Sequence, residues 1–524
     1  DVEKSFDPAV GVVLDGIFLG TNTGQELQVF DMERIEILRG PQGTLFGRNT
    51  IGGLINVTRT KPQMDWAGKI RGTYGDYDRM DLEAVLHFPL FSDKLGGKVS
   101  YVTRQQDEGF YDNVFRGTEE PEIDYEAYGI NLLWLPTDRL SLEYSYDYQE
   151  DNSDTPATAN FSQPNDALCF LGGACAQGPT TPELGKKYKS NQNFSNLQYM
   201  ELDAHTFEAN WDLAERMRLT YLFGYRESEE RTDQDFDSTS IDFFSTIRLQ
   251  DYEQTSHELR LSGTAFESTN YVLGLYKWDS EYQLDQQVLY LLTNLAGLPP
   301  GAKSTPSTDH DTDSWAAFFE VDFAFAERWV LTLGGRYTEE ETKMTRSSEI
   351  DLLGDGSTIL PDFEATGEGD WDDFTPKASL SYDLSDDQMM YLTYAEGFRS
   401  GGLNGRAGAP SSTETPYDPE YVNMVEFGWK ATWRDSRMTT SLAVFYQEYD
   451  DKQEEVVVPA PDSAQGQETV TLNAASATMQ GIEFELQALL LEGWTAGANF
   501  GYLDAEYDDF EIENVDGTKQ DLSD

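Results

Sequence analysis

Between residues 66 and 508 the chain is written in short segments whose side chains alternate between apolar and polar. In residues 140–149, Leu140, Leu142, Tyr144, Tyr146 and Tyr148 alternate with Ser141, Glu143, Ser145, Asp147 and Gln149. A period of two sends the two sets to opposite faces of a β-strand, so each segment has an oily face and a wet one. The period returns in Trp494, Ala496, Ala498, Phe500 and Tyr502 against Thr495, Gly497, Asn499 and Gly501, and in Trp329, Leu331, Leu333 and Tyr337 against Thr332, Gly334, Arg336 and Thr338. A chain built this way is all-β, with few helices.

Alternation alone fits both a soluble sandwich, whose oily face is a core, and a membrane barrel, whose oily face meets lipid. Connection lengths separate them. Short turns at 136–139, 214–217, 267–270, 326–328, 385–388, 434–437 and 491–493 alternate with long polar stretches, roughly 107–124, 150–202, 231–253, 283–312, 345–372, 397–418 and 451–476. An outer-membrane barrel has that asymmetry, with short turns at the periplasmic end and long loops outside. Aromatic residues such as Tyr144, Tyr146, Tyr148, Trp429 and Trp433 sit near segment ends, as interfacial girdles or through ordinary β-propensity. About 17 strands can be counted, an odd total where single-chain bacterial barrels have even ones.

Composition excludes other classes. Against 37 Lys and Arg stand 95 Asp and Glu, a net charge of −58, so no basic face exists to bind nucleic acid. The 28 Tyr, 29 Phe and 10 Trp argue against disorder. The longest apolar run is five residues, as in 315–319, far short of the roughly 20 of a transmembrane helix. No charged-then-apolar signal segment opens the sequence, which starts at Asp1 as if inside a domain. Four histidines, His87, His205, His257 and His310, are scattered, and no HExxH or GxSxG motif occurs, so no catalytic residue is nominated.

Residues 1–62 read differently, with eight acids, six bases and a charge of only −2. The run FDMERIEILRGPQGTLFGRNTIGGLINVTRTKP, residues 30–62, closely resembles the second half of the plug domain of TonB-dependent outer-membrane receptors, and VVLDGIFLG, residues 12–20, resembles an earlier plug strand. Further resemblance lies in SWAAFFEVDFAFAERWVLTLGGRYTEE, FTPKASLSYDLSDDQMMYLTYAEGFRSGGLNG, YDPEYVNMVEFGWKATW and NAASATMQGIEFELQ. It implies a large antiparallel transmembrane β-barrel of the 22-stranded type, about 17 strands present, with a small mixed α/β plug in the lumen. The expected domains are 1–62, the C-terminal part of the plug, and 63–524, an incomplete barrel. Five further strands would need about 130 residues. The coupling box and first half of the plug, before Asp1, and the closing strands, after Asp524, are expected to be missing.

What the resemblance implies for function is active import of a scarce nutrient across the bacterial outer membrane, foremost a ferric siderophore, with cobalamin, haem or a glycan as alternatives and a passive porin as a further one. The implied partners are the TonB–ExbB–ExbD complex, outer-membrane lipid and lipopolysaccharide, and a small-molecule metal chelate. No intrinsic cofactor is expected. The resemblance also implies that plug arginines pair with acidic residues of the barrel wall, Arg39 first and Arg48 second, although each would equally suit capping its own turn. Glu143 and Asp147 are inward-facing acids that are possible partners, or are simply solvated in a wet lumen, and no pair is assigned.

Residues 33–38 read as a strand, Arg39, Gly40 and Pro41 as a tight turn, and Gly40, Gly43, Gly47, Gly52 and Gly53 as backbone needing positive φ or close approach. Cys169 and Cys175 are a candidate disulfide. Phe161, Phe170, Tyr188, Trp371 and Tyr417 are loop aromatics able to contact a chelate or to pack their loops. Asp233, Asp235, Asp237 and Asp309, Asp311, Asp313 form DxDxD runs in expected external loops, which read as solvated acidic loops or as places able to collect Ca²⁺. Only Glu320, twelfth from Asp309, meets the further demands of an EF-hand. GGLNGRAG, residues 401–408, lacks a Lys-Ser/Thr ending and reads as a loop without a following helix.

Overall fold

The computed structural model describes residues 8–21, 31–91, 93–159, 188–240, 244–290, 302–460, 467–513 and 518–523. The first of these build a small sheet. Strands β1 (Val10–Leu14), β2 (Ile17–Phe18), β3 (Met32–Arg39) and β4 (Gly53–Arg59) lie in the order β2-β1-β4-β3. The one-turn helix α1 (Gly43–Phe46) interrupts the path from β3 to β4. Residues 12–20, which resemble a plug strand followed by Asp-Gly, fold as a hairpin of β1 and β2. Asp15 and Gly16 take positive φ (49° and 87°), the handedness that matches strand twist and that Asp-Gly adopts readily. β4 is central, parallel to β1 and antiparallel to β3.

The remaining long strands form a ring around that sheet. In chain order they are Ala67–Tyr74, Met80–Phe91, Leu95–Gln106, Ile123–Thr137, Leu140–Asp151, Gln198–Ala214, Met217–Asp235, Phe244–Ala265, Thr269–Tyr290, Lys303–Ala326, Trp329–Asp351, Ile359–Ser385, Gln388–Arg399, Glu420–Trp433, Met438–Pro459, Gln467–Leu491 and Trp494–Glu513. The order returns on itself through Lys519–Asp521, which pairs with its predecessor over three residues. Among the described residues the ring thus has 17 long staves and one short strand, each long neighbour antiparallel to the next.

Burial is inverted relative to a soluble protein. Leu259, Leu273, Leu275, Phe319, Leu333 and Val425 are exposed, while Ser145, Ser256, Ser314, Thr338 and Thr375 are buried. The outer surface is therefore apolar and the lumen polar, as a barrel in lipid requires. Tyr144 and Tyr146 point outward, whereas Glu143 and Asp147, on the alternate face, reach inward-lying residues.

At the short-turn end the hairpins are stitched together. The Lys94 carbonyl accepts the Leu135 N–H (2.7 Å), Arg139 that of Asp212 (2.8 Å), Arg216 that of Thr264 (3.0 Å), and Arg328 that of Asp383 (2.9 Å). These bonds satisfy backbone groups at the rim, where the ladder ends. At the other end the strands run far past the ten or so residues needed to cross lipid. Ile359–Ser385 has 27 residues and Gln467–Leu491 has 25. Much of what sequence suggested to be loop, within 231–253, 283–312, 345–372 and 451–476, is strand. In the outer part of Ile359–Ser385 the outward positions hold Glu364, Glu368, Asp370 and Asp372, so alternation of polarity fades there although backbone pairing continues.

Candidate functional site

The quoted glycine-rich run forms the contact between inner sheet and wall. After Arg39 the chain turns at Gly40 and Pro41, makes α1, and re-enters the sheet at β4. Gly47 (φ +89°) needs its lack of a side chain because a Cβ would lie 2.8 Å from the Arg336 guanidinium. Gly53 (φ +141°) opens β4 where a Cβ would lie 2.5 Å from the Leu38 carbonyl oxygen. Gly43 sits against the backbone of Glu396 and Gly397, and Gly52 against the carbonyl of Ala9.

This turn presents Arg39 and Arg48 in different directions. Arg39 pairs with Glu483 and, at 3.2 Å, with Glu485, two acids on one face of Gln467–Leu491. Its side chain is 57% exposed, so solvent weakens these pairs. Arg48 pairs with Glu340, the two being 11% and 4% exposed. Its guanidinium also lies 4.1 Å from the centroid of the Trp278 ring, a cation–π contact in desolvated surroundings.

A second set, whose wall acids Asp147 and Glu143 the sequence offered but whose plug cations it did not single out, follows β4. Arg59 donates to Asp15 from Nε (2.6 Å) and from its backbone N–H (2.8 Å), and its other arm donates to Asp147 of the wall. Burial alone would lower the Arg59 pKa, but Asp147 and Asp15 outweigh it and hold the group above its ordinary range. Lys61 lies 2.8 Å from Glu143 and 3.5 Å from Glu208. Burial opposes its charge too, and the two carboxylates reverse the balance and raise its pKa. Between them Thr60 donates to Asp31 and its carbonyl accepts from Lys98, whose Nζ also lies 2.6 Å from Asp31. The signal was present: Arg59 and Lys61 are two of six bases in residues 1–62, flanking one threonine.

Uncharged contacts complete the seal. Gln254 donates to the Phe18 carbonyl and accepts from the Gly20 N–H, both at 2.9 Å. The Asn49 N–H donates to the Phe398 carbonyl (3.1 Å), and the Asn49 side chain accepts from the Ser400 N–H (3.0 Å). Ile51 joins Val422, Tyr449 and Ala477 in a buried apolar cluster. The inner sheet is therefore held from many sides by non-covalent contacts, most of them buried.

Other nominated residues lie elsewhere. Trp371 is in the strand Ile359–Ser385, not a loop, and its ring lies flush on Gly369 and Gly401. Tyr417 is buried against Gly402, with which it forms a β-bridge. Both rings thus pack the 401–408 segment, and a five-residue helix, α2 (Pro410–Glu414), does follow it. Next to it an open cleft of about 440 Å³ is lined by Asn404, Ser412, Tyr417, Asp418, Glu468 and Asn473 among others.

Asp309, Asp311 and Asp313 lie on a strand with exposed side chains rather than in a loop. Asp233 and Asp235 end a strand, and Asp235 and Asp237 are occupied with backbone N–H groups of their own turn. Among the described residues no group of three or more His, Cys, Asp or Glu is placed to hold a metal ion. Tyr188 is exposed and meets Tyr111 edge-on. Phe161, Phe170, Cys169 and Cys175 lie outside the described residues.

Residues 127–524 match the family model described as TonB dependent receptor-like, beta-barrel, and residues 5–54 match the TonB-dependent Receptor Plug Domain. The chain belongs to the TonB-dependent receptor family. The receptor is accordingly an outer-membrane protein, and its inner sheet is a plug. It is 24% identical to the pesticin receptor of Yersinia enterocolitica over 96% of this chain and 67% of that one. It is 23% identical to the ferric-pyoverdine BN7/BN8 receptor of Pseudomonas putida over 93% of this chain and 58% of that one. The chain thus spans about two thirds of the length of such relatives, or less. In fold it is similar to the ferric yersiniabactin uptake receptor FyuA from Yersinia pestis, with TM-score 0.77, 21% identity, and coverage of 99% of this chain and 73% of that one. The siderophore receptor PiuA from Acinetobacter baumannii gives TM-score 0.72 at 16% identity, covering 99% and 75%.

Proposed function

We propose that this receptor imports a ferric siderophore across the outer membrane, driven through TonB, ExbB and ExbD. The observation that carries the reading is a plug seated in a polar lumen and fastened by non-covalent ion pairs, Arg39 to Glu483 and Glu485, and Arg48 to Glu340. A passive channel has no use for such a plug, because an occluded lumen conducts only when something moves the obstruction. In this reading the plug occupies residues 1–62 and the barrel begins at 63, and Arg39 and Arg48 hold the plug in a releasable way. The chemistry is transport, not catalysis. The names of the relatives, ferric-pyoverdine and ferric yersiniabactin receptors among them, favour a ferric siderophore over cobalamin, haem or a glycan.

Trp371 and Tyr417 border the external face, and with Phe161 are proposed ligand contacts, directly or by shaping the 401–408 segment. A Cys169–Cys175 disulfide and loop-bound Ca²⁺ remain proposals on sequence grounds alone. The test is uptake by iron-starved cells carrying the intact receptor, supplied with radiolabelled ferric siderophores of different ligand chemistry. Energy-dependent accumulation of one of them, lost on deletion of TonB, is expected. Accumulation independent of TonB would return the passive-channel reading.

A further inference from the structure

The inner face of the stave Phe244–Ala265 rises from the plug toward the external mouth as a row of alternate residues, Gln254, Tyr252, Gln250, Arg248 and Thr246. The lower members are bonded to the plug, to one another or to the next stave. Gln254 holds the Phe18 carbonyl and the Gly20 N–H, the Tyr252 hydroxyl donates to Gln254 (3.0 Å), and Gln250 accepts from the Tyr282 hydroxyl (2.8 Å). Above Gln250 the pairing stops. Arg248 lies six residues, roughly 20 Å of strand, beyond the plug contact at Gln254. It is half-buried, and its Nε and Nη1 are out of water with no hydrogen-bond partner among the described residues. Thr246 is 3% exposed, and its Oγ1 is buried and equally unpartnered.

The neighbouring staves supply no counter-charge. Opposite Arg248 stand Thr232 and Gln286, both uncharged, and the inward acid Glu230 on the Thr232 side accepts from the Thr232 hydroxyl (3.1 Å). Elsewhere Arg48, Arg59 and Arg399 each face a carboxylate. In a chain of 95 acids against 37 bases, Arg248 therefore gives up solvation without gaining a partner. An anion from outside the chain restores the balance. Guanidinium holds its N–H groups in a planar fork that matches a carboxylate in shape and charge, and Thr246 adds a hydroxyl on the same face.

We infer that Arg248 and Thr246 form a recognition point for a carboxylate carried by the ferric chelate, so that this receptor takes net-anionic, carboxylate-bearing chelates in preference to neutral ones. The inference rests on the transport reading above and names the chemical class of its ligand. A net charge of −58 offers an anion no attraction at long range, so its affinity depends on this local cation.

The test is equilibrium binding to the intact receptor purified in detergent, read by quenching of its intrinsic fluorescence. The probes are ferric dicitrate and ferric aerobactin, which are anionic and carry carboxylates, and ferrichrome, which is neutral. At least one of the anionic chelates is expected to bind more tightly than ferrichrome. Arg248→Gln should weaken that chelate at least about tenfold and leave ferrichrome unchanged, with Arg248→Lys in between. Thr246→Val, expected to weaken it about threefold, is the second variant should Arg248→Gln fail to fold. Unchanged affinity of the anionic chelate in these variants, or an equal loss for ferrichrome, would overturn the recognition point. Tighter binding of ferrichrome by the unsubstituted receptor would overturn it while leaving the transport reading in place. Binding of none of the three chelates would count against the transport reading and remove this assignment with it.

Discussion

The Arg48 guanidinium of the plug lies 4.1 Å from the ring centroid of Trp278 in the barrel wall. The same cation pairs with Glu340, 292 residues away in sequence. Trp278 and Glu340 are almost fully buried, so the site holds a charge out of water by means of one carboxylate and one aromatic face.

Glu340→Gln should therefore be among the most damaging single changes at the plug surface. Removing one partner of a buried pair leaves the other uncompensated, at about 3–5 kcal/mol. Thermal unfolding in detergent should show a lowered midpoint, and protease should reach the plug sooner. A double replacement, Arg48→Met with Glu340→Leu, is expected to recover much of the loss, and failure to do so would show that the cost lies elsewhere.

Arg39→Gln should behave in the opposite way. More than half of its side chain is exposed, and pairs of this kind contribute up to about 1 kcal/mol and are screened by salt. The variant is expected to unfold within a few degrees of the parent at low ionic strength and indistinguishably from it in 1 M salt. A large, salt-independent loss would contradict the geometry.

Backbone conformation makes Gly53→Ala costly. At φ +141° an alanine would be strained and its Cβ would press on the Leu38 carbonyl, for a loss of about 2–3 kcal/mol. Gly72→Ala, where a Cβ would meet nothing within 4 Å, is the control and should be nearly neutral. Comparing yields of folded, heat-modifiable protein for the two variants checks this.

A pH dependence is expected in the outer turn at Asp235. This residue ends the 19-residue strand Met217–Asp235, beyond the roughly ten residues that cross the bilayer. Burial first, and then the neighbouring Asp237, push its carboxyl up to about 6. With the folded pKa above the ordinary 3.8, the folded turn binds a proton more tightly than the open one. The turn is then most stable below about pH 4 and weakens as pH rises to about 6, by up to about 3 kcal/mol. Hydrogen exchange of the Asp237 and Ser238 amides, which donate to Asp235, should report this, and Asp235→Asn should flatten the profile.

Parts of the site were legible in sequence because they are local. Strand alternation in residues 140–149 separates Tyr144 and Tyr146 from Glu143 and Asp147, and the resemblance of residues 30–62 to a plug singles out Arg39 and Arg48. Their partners were not legible, since Arg39 and Glu483 are 444 residues apart and nothing in either neighbourhood encodes the other. The outer half of Ile359–Ser385 was also missed. There Glu364, Glu368, Asp370 and Asp372 occupy outward positions that lipid-facing residues take lower in the barrel, and so erase the hydropathy period.

From sequence alone, a period of two over hundreds of residues, with short and long connections in alternation, pointed to an antiparallel barrel, and the family resemblance of residues 30–62 implied a plug. Those features depend on each residue's own neighbours and on the solvent each face must meet. Which carboxylate receives which plug cation was decided only when the ring brought distant staves around one small sheet. Electrostatic pairing depends on distance in space, and chain separation carries no record of it.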